Sequence, residues 1–390
     1  MAGPWAGQTL ADLGADVIKV ERPGAGDDTR AWGPPFLLTE SGEPTKEAGY
    51  YLAVNRGKRS ITIDLTTSEG QGIVRELAKR CDILLENYKV GTLSKFGLGP
   101  PHLRAANPAL IYCSITGFGQ TGPRSSQVAY DFAIQAMGGL MSVTGERDAL
   151  PGGGPQKVGV PIIDIMTGMY AATAVLAAIA RRAVTGQGDH IDISMLDVAV
   201  ATLANQGMNH LLSGSTPRRT GNRHPNIQPQ DVFDCADGQI VVAVGNDIQF
   251  GRLCAALDAH ELGQDPRFET NATRLANLPE LLIQLRNRIA KYPAKALTAE
   301  LDRAGVPCGV INSIPDALTD PQIQHRNLVQ ALPHPRAGSV PQILSPMRFA
   351  DADLSIGRAP PLPGAHTEEI LRELGLEGAH IASLRGLGAI

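Results

Sequence analysis

Short runs of β-branched and apolar residues alternate with helix-like segments from residue 8 onward, and this alternation organises the first half of the chain. Strand side chains change face at every second position, whereas a helix face recurs every three to four residues, so period separates the two. The pattern predicts a helix over residues 8–15, a strand over 16–21 (DVIKVE), a strand over 60–65 (SITIDL) and a helix over 69–80. A strand over 82–86 (DILLE), a short helix near 91–96 and an apolar strand over 109–115 come next. After a Gly-rich loop region, residues 158–163 read as a further apolar strand leading into an Ala-rich helix that runs to about residue 184. A strand over 190–194 and a helix over 196–212 complete this half. Strands spaced by helices in this way imply a parallel sheet covered on both faces, hence an α/β fold class.

The pattern changes after Ser213. Residues 213–230 are rich in Pro, Arg, Asn and Gly and carry no period, so they read as a linker or active-site loop. Beyond them a hairpin is predicted over 231–244, turning at the DCADG of residues 234–238, with helices near 249–257 and 278–304. Residues 231–325 therefore form a small α+β domain, distinct from the large domain of residues 1–212. A Pro-rich strand region from about residue 328, a helix over 367–374 and a C-terminal amphipathic piece end the chain.

Composition narrows the class. With 390 residues, 43% apolar and 19% charged, the chain has material for two domains with ordinary cores. No window holds the ~18 uninterrupted apolar residues of a membrane span, and the Ala-rich stretch 169–180, closed by Arg181 and Arg182, reads as a core helix. The opening Met1-Ala2-Gly3-Pro4 lacks the charged and apolar regions of a secretory signal. Five cysteines, odd in number and far apart, with no zinc spacing, suit reduced thiols in a cytoplasmic protein. A net charge of −4 argues against a nucleic-acid surface but leaves room for a small anion in a local basic pocket.

Asp164 is the candidate with most to say. Between the apolar run and the Ala-rich helix it has two readings: an N-cap, or a nucleophile at the carboxyl end of a strand, where open α/β sheets place their chemistry. Polar and basic residues lie just after other predicted strands: Arg22 after DVIKVE, and Asn87, Tyr88 and Lys89 after DILLE, with Lys95 two turns further on. Gathered at one sheet edge they would suit phosphates and a flat ring; taken singly, each also reads as solvated surface. There is no G-x-G-x-x-G, no Walker A, no G-x-S-x-G elbow at Ser194 and no H-x-x-x-H, so dinucleotide, nucleoside-triphosphate, serine-hydrolase and metal sites are not indicated.

Several segments together resemble one family, the class III CoA-transferases of the formyl-CoA and carnitine type. They are Ala2-Gly3-Pro4 with LGADVIKVE, NRGKRSITIDL, Glu86-Asn87-Tyr88 with GTLSKFGLG, SITGFGQTGP, Tyr130-Asp131 with Gln135 to Gly139, Asp164 to Gly168, and APPLPGAHTEEIL, in order along the whole chain. The resemblance implies that Asp164 is the catalytic aspartate and that Arg22, Asn87, Tyr88 and Lys95 line the CoA pocket. Lys95 stands where an arginine often occurs, which keeps the charge and loses the planar fork. It further implies a Rossmann-like large domain built from both chain ends, with residues 326–390 returning to it, a smaller inserted domain, and two chains interlocked as a homodimer. Family members carry a further strand and turn before Ala-Gly-Pro, so a native start upstream of Met1 is expected. No tightly bound cofactor is implied; CoA esters and carboxylic acids are the substrates, and the expected partners are these and a second copy, with no nucleic acid and no membrane.

In the family's chemistry an aspartate attacks an acyl-CoA thioester, passing through a mixed anhydride and an aspartyl-CoA thioester. Carboxyls ionise near pH ~4, so no general base is needed and the protein's task is positioning and exclusion of water. Tyr130, Asp131, Gly138 and Gly139 are candidates around that centre, and Gly152-Gly153-Gly154 reads equally as a closing loop or an ordinary turn. The family's racemase branch places a His directly before the Asp of the corresponding pair; here Tyr130 stands there, and a phenol is a poor base at neutral pH. A catalytically silent acyl-CoA-binding protein is the alternative of another class. The second half looks most like members that use succinyl-CoA and a dicarboxylate, and Arg218, Arg219 and His224 are either binding groups for a distal carboxylate or a solvated basic loop.

Overall fold

The computed structural model describes residues 1–354 and 357–390. Two units emerge from the chain: a larger one from Met1–Leu140, Lys157–Met208 and Gln322–Ile390, and a smaller one from Met141–Gln156 and Asn209–Pro321.

In the larger unit β1 (Val17–Glu21) pairs in parallel with β2 (Lys58–Thr62), placing Val17 opposite Lys58. A second parallel sheet joins β3 (Ile83–Glu86), β4 (Ile111–Thr116) and β5 (His190–Ser194), with β4 central and buried throughout. A strand buried on both faces needs apolar or hydrogen-bonded side chains at successive positions: Ile111, Tyr112, Cys113 and Ile115 bring apolar surface, while the Ser114 hydroxyl pairs with His190 Nε2 at 3.1 Å. Helix α1 (Ala2–Asp12) and helix α4 (Ile162–Thr185) cover one face: Ala2, Ala6 and Leu10 meet Ile111, Cys113 and Ile115 together with Ala171, Ala172 and Val175. Helix α2 (Ser68–Arg80) starts at Thr67, whose side chain accepts from Gly70 N–H, and packs Ile73 against Ile61 and Ile63 of the β2 region. The helices Thr367–Glu373 and Gly378–Gly386 complete that core with Ile370, Leu371, Ile381 and Leu384. Helices α3 (Asp131–Met137) and α5 (Met195–Ala201) pack with α4 through Ile134, Ile163, Met195 and Ala199.

Three expectations are corrected here. Residues 158–161 form no strand; the helix starts at Ile162, and Asp164 lies in its first turn rather than at the mouth of a strand. Pro161 fixes its own φ and has no N–H for a ladder, while the Val158 N–H is taken by the Gln135 side chain. The helix expected over 196–212 is two, Met195–Ala201 and Ala204–Ser213, broken where Ala204 takes φ 45°. α4 is buried on one face only: 24 residues long and apolar enough to cross a membrane, it leaves Met169, Tyr170, Leu176 and Val184 exposed.

The smaller unit is α+β. Strands Gln230–Asp234 and Gln239–Ala243 form the antiparallel hairpin, and Cys308–Val310 joins antiparallel to its second strand. Helices Asp247–Ala256, Leu278–Ile289 and Ala294–Arg303 close one core with Phe250, Leu253, Leu285 and Leu297. The single helix expected over 278–304 is split by Pro293, which caps the second piece. Residues 141–156, read from the sequence as part of the large domain, belong to this unit: Arg219 pairs with Asp148 and donates to the Ser142 carbonyl oxygen at 3.1 Å.

Candidate active site

Three parallel strands end at one edge, and the residues that come directly after each of them line a single cleft of ≈590 Å³. β3 delivers Asn87, Tyr88 and Lys89, β4 delivers Thr116 and Gly117, and β5 delivers Met195. The turn after β3 is pinned by the Glu86 carboxylate, which accepts the Tyr88 N–H at 2.7 Å, and the turn after β4 by Thr116 Oγ1, which accepts from Gly119 N–H at 2.9 Å. The carboxyl ends of parallel strands are where open α/β sheets bind ligands. Gly3 lets the start of α1 come close: a Cβ there would meet Asn87 Cγ at 3.4 Å and Leu85 Cδ2 at 3.2 Å.

Asp164 faces this cleft from α4, its side chain 14% exposed. Its Oδ1 accepts the Ala2 N–H at 3.2 Å, and the Met1 amino nitrogen lies 3.8 Å away. Burial pushes its carboxyl above the ordinary value; the amino group works against that, and the nearby Asp131 charge adds to it. The result is a carboxylate more basic than one in water, partly stripped of solvent.

Asp164 does not cap its helix. Pro161 occupies the cap position and offers no side-chain acceptor. Asp131, the first residue of α3, does this from a distance: its Oδ2 accepts Ile163 N–H at 2.7 Å and Asp164 N–H at 3.0 Å. Gln135 donates to Asp131 Oδ1 at 2.5 Å and accepts the Val158 N–H at 2.9 Å.

An aromatic wall stands opposite. Trp32 meets Tyr50 edge-on at 5.1 Å and Tyr130 at 6.4 Å between centroids. Burial raises the Tyr50 phenol, and the Asp164 and Asp131 charges raise it further, so it remains a neutral hydroxyl beside the carboxylate.

Of the residues singled out from sequence, the cleft thus gathers Asp164, Asn87, Tyr88, Tyr130 and Asp131. Arg22 and Lys95 are exposed and outside its lining; Arg22 pairs with Asp28 at 2.5 Å, close enough to Tyr88 that its charge offsets part of the burial that raises that phenol. Lys89 and Lys157 are the lysines in the lining. Gly138 serves packing: a Cβ there would stand 2.4 Å from Ala199 Cβ, and Gly139 comes next at φ 86°. In the smaller unit, His224 Nδ1 accepts from Asn226 and Ile227 N–H at 3.1 Å each, Arg219 is held by Asp148, and Arg218 is exposed with no ion pair among the described residues. Gly152-Gly153-Gly154 lies in a turn whose Gly153 bridges to Glu146. Trp32, Tyr50 and Lys157 were missed by sequence reasoning: Trp32 and Lys157 stand in irregular chain and Tyr50 in a single helical turn, Gly49–Leu52, too short for a period to expose it. Among the described residues no group of three His, Cys, Asp or Glu is placed to hold a metal.

The same chain matches known proteins along most of its length. The family model described as CoA-transferase family III covers residues 1–367. A succinate–glutarate CoA-transferase of Agrobacterium fabrum is 47% identical over 96% of this chain and 92% of its own. A human succinyl-CoA:glutarate CoA-transferase is 41% identical over 96% of this chain and 83% of its own. The crystal structure of a CAIB/BAIF family protein from Brucella suis superposes with a TM-score of 0.82 at 49% identity, covering 96% of both chains. With the cleft, the carboxylate and the parallel sheets all inside the matched region, the chain belongs to CoA-transferase family III.

Proposed function

We propose that this chain moves CoA from succinyl-CoA to a glutarate-like dicarboxylate, with Asp164 as nucleophile. The observation that carries the reading is the placement of Asp164: a desolvated carboxylate at a strand-end cleft, held by the Ala2 N–H and facing open space. The names of the Agrobacterium and human relatives support the donor and acceptor.

An Asp164 oxygen attacks the thioester carbonyl, the C–S bond breaks, and CoA leaves as thiolate, giving a mixed anhydride. The thiolate then attacks the Asp164 carbonyl carbon and expels succinate, leaving an aspartyl-CoA thioester. The acceptor carboxylate repeats the attack on that thioester, and the released thiolate resolves the second anhydride on the acceptor's side, regenerating the Asp164 carboxylate. No net proton is needed, so the site's work is alignment and dryness. Tyr50, Tyr130 and Trp32 serve the second of these. Asn87 and Tyr88, with Arg22 and Lys95 towards the surface, hold CoA.

In this reading the larger unit is the family's Rossmann-like domain, the smaller one its insert, and the protein is a cytoplasmic, interlocked homodimer. The exposed apolar face of α4, from Met169 to Val184, is covered by a second copy. A racemase is the rival reading. It needs a base where Tyr130 stands, and Tyr130 is 72% exposed with no histidine beside it in the cleft lining.

One incubation in D2O decides among these, with succinyl-CoA, a 2-methylacyl-CoA and a panel of carboxylic acids, read by mass spectrometry of the CoA esters. New esters, absent with Asp164→Ala, support transfer and name the acceptor. Deuterium at the α-carbon without new esters would mean a racemase, and neither change would mean a binding protein.

A further inference from the structure

A helix begins with N–H groups that have no partner inside it, and the usual remedy is a Ser, Thr, Asp or Asn immediately before the first turn. The Asp164 helix has proline there instead. Its second and third N–H groups, those of Ile163 and Asp164, converge on one oxygen of Asp131, a residue more than thirty positions earlier on another helix. The other oxygen of that carboxylate is held by Gln135, four residues on and on the same face of α3. Gln135 is fully buried, and its carbonyl oxygen takes the Val158 N–H. Two side chains of one helical turn thus fix three main-chain positions of the segment that leads into Asp164.

We propose that Asp131 and Gln135 form a clamp that positions Asp164, setting where its carboxylate stands in the cleft. The proposal rests on the reading of Asp164 as nucleophile. Asp131 is not free to act as a base on substrate: one oxygen accepts two N–H groups, the other faces the Gln135 amide, and the residue is buried. Its negative charge suits the start of a helix, where the peptide dipoles favour an anion.

The clamp depends on complementary pairing, acid to amide, and this makes it testable by exchange. Asp131→Asn sets two amide groups against each other, and Gln135→Glu sets two carboxylates against each other. The double variant Asp131→Asn/Gln135→Glu restores a matched pair: the amide donates to the carboxylate, whose second oxygen still accepts from Val158, while the amide oxygen still accepts from Ile163 and Asp164. The measurement is the rate at which succinyl-CoA loads CoA onto Asp164, tracked by intact-protein mass spectrometry, with KM for succinyl-CoA and the melting temperature recorded alongside. Small misplacements of reacting groups cost about 10²-fold, so each single variant is expected to load about 10²-fold more slowly, with KM within about 3-fold. The double variant is expected to recover to within about 10-fold of wild type, a coupling that independent sites would not show.

A double variant no faster than the singles overturns the clamp. If a single variant fails to fold, the double decides alone: it folds and loads, or the proposal falls. Wild type that never gains CoA at Asp164, judged against Asp164→Ala, overturns the nucleophile reading itself, which keeps the two failures distinct.

Discussion

Gly168 sits one helical turn beyond Asp164 on α4, where α1 lies against it. A Cβ at that position would stand 2.8 Å from the Ala2 carbonyl oxygen and 2.9 Å from Trp5 Cβ. Neither neighbour can swing away, since one is main chain and the other is the first atom of a side chain. Carbon contacts settle at about 3.5–4.0 Å, so Gly168→Ala must part the two helices by roughly 0.6–1.1 Å. Overpacking of this kind costs about 1–3 kcal/mol, against a helix-propensity gain of about 1 kcal/mol. Gly72, inside α2 with nothing within 4 Å of its own added Cβ, takes the gain without the clash. Gly72→Ala should therefore melt higher than wild type, and Gly168→Ala lower than Gly72→Ala by about 1–3 kcal/mol, roughly 2–12 °C for a unit of about 260 residues. The parting also carries the Ala2 N–H away from the Asp164 carboxylate, so kcat for CoA transfer should fall by about 10–10²-fold in Gly168→Ala alone. Thermal melts and steady-state kinetics on the three proteins test this. If Gly168→Ala melts as high as Gly72→Ala and keeps wild-type kcat, the close approach of α1 and α4 is not what holds the site.

Asp164→Asn should abolish loading of CoA onto the protein yet raise its melting temperature at pH 7–8. The Asp164 carboxyl is raised in the fold, so the folded state favours it protonated; that advantage is fully present below the unfolded value near ~3.9 and is lost as pH rises through the folded one. The gain of the variant over wild type should therefore be largest at neutral pH and close in acid, as melts across that range will report. Arg274 is wholly buried in the smaller unit, donating to the carbonyls of Gln228, Phe268 and Glu269 and to Asp247. Arg274→Met should lower the stability of that unit by about 3–5 kcal/mol, seen as an earlier calorimetric transition.

What the sequence made legible was whatever carries a period. The strand over 190–194 and the hairpin turning at 234–238 lie where alternation and turn residues placed them. The apolar run before Asp164 misled because four to six apolar residues fit a strand or the first turn of a buried helix equally well, and Pro161 favours the second. Pro293 marks the split in the 278–304 helix; no residue marks the break at Ala204, since alanine is the best of helix formers. In the site, position put Asn87 and Tyr88 directly after a strand that ends at the cleft but left them open between pocket and solvated surface, and Asp164 was set at a strand end that the structure lacks, so the family resemblance rather than position singled it out. The remote capping of α4 by Asp131 was not, because it joins residues with no sequence relation to one another, and a capping signal is looked for next door.

The larger unit is assembled from three stretches of chain, and its seams join residues made far apart in time. Arg30 donates to the Pro361 carbonyl, and Asp64 N–H is paired with the Ala389 carbonyl. During synthesis the strands that begin this unit emerge early and must wait, unsealed, until more than three hundred further residues have been added. The smaller unit, nearly all drawn from one continuous stretch, faces no such delay. A ribosome-bound chain should then display a finished insert beside an unfinished host whose apolar strands are bare, and that interval is where a chaperone would have most to protect.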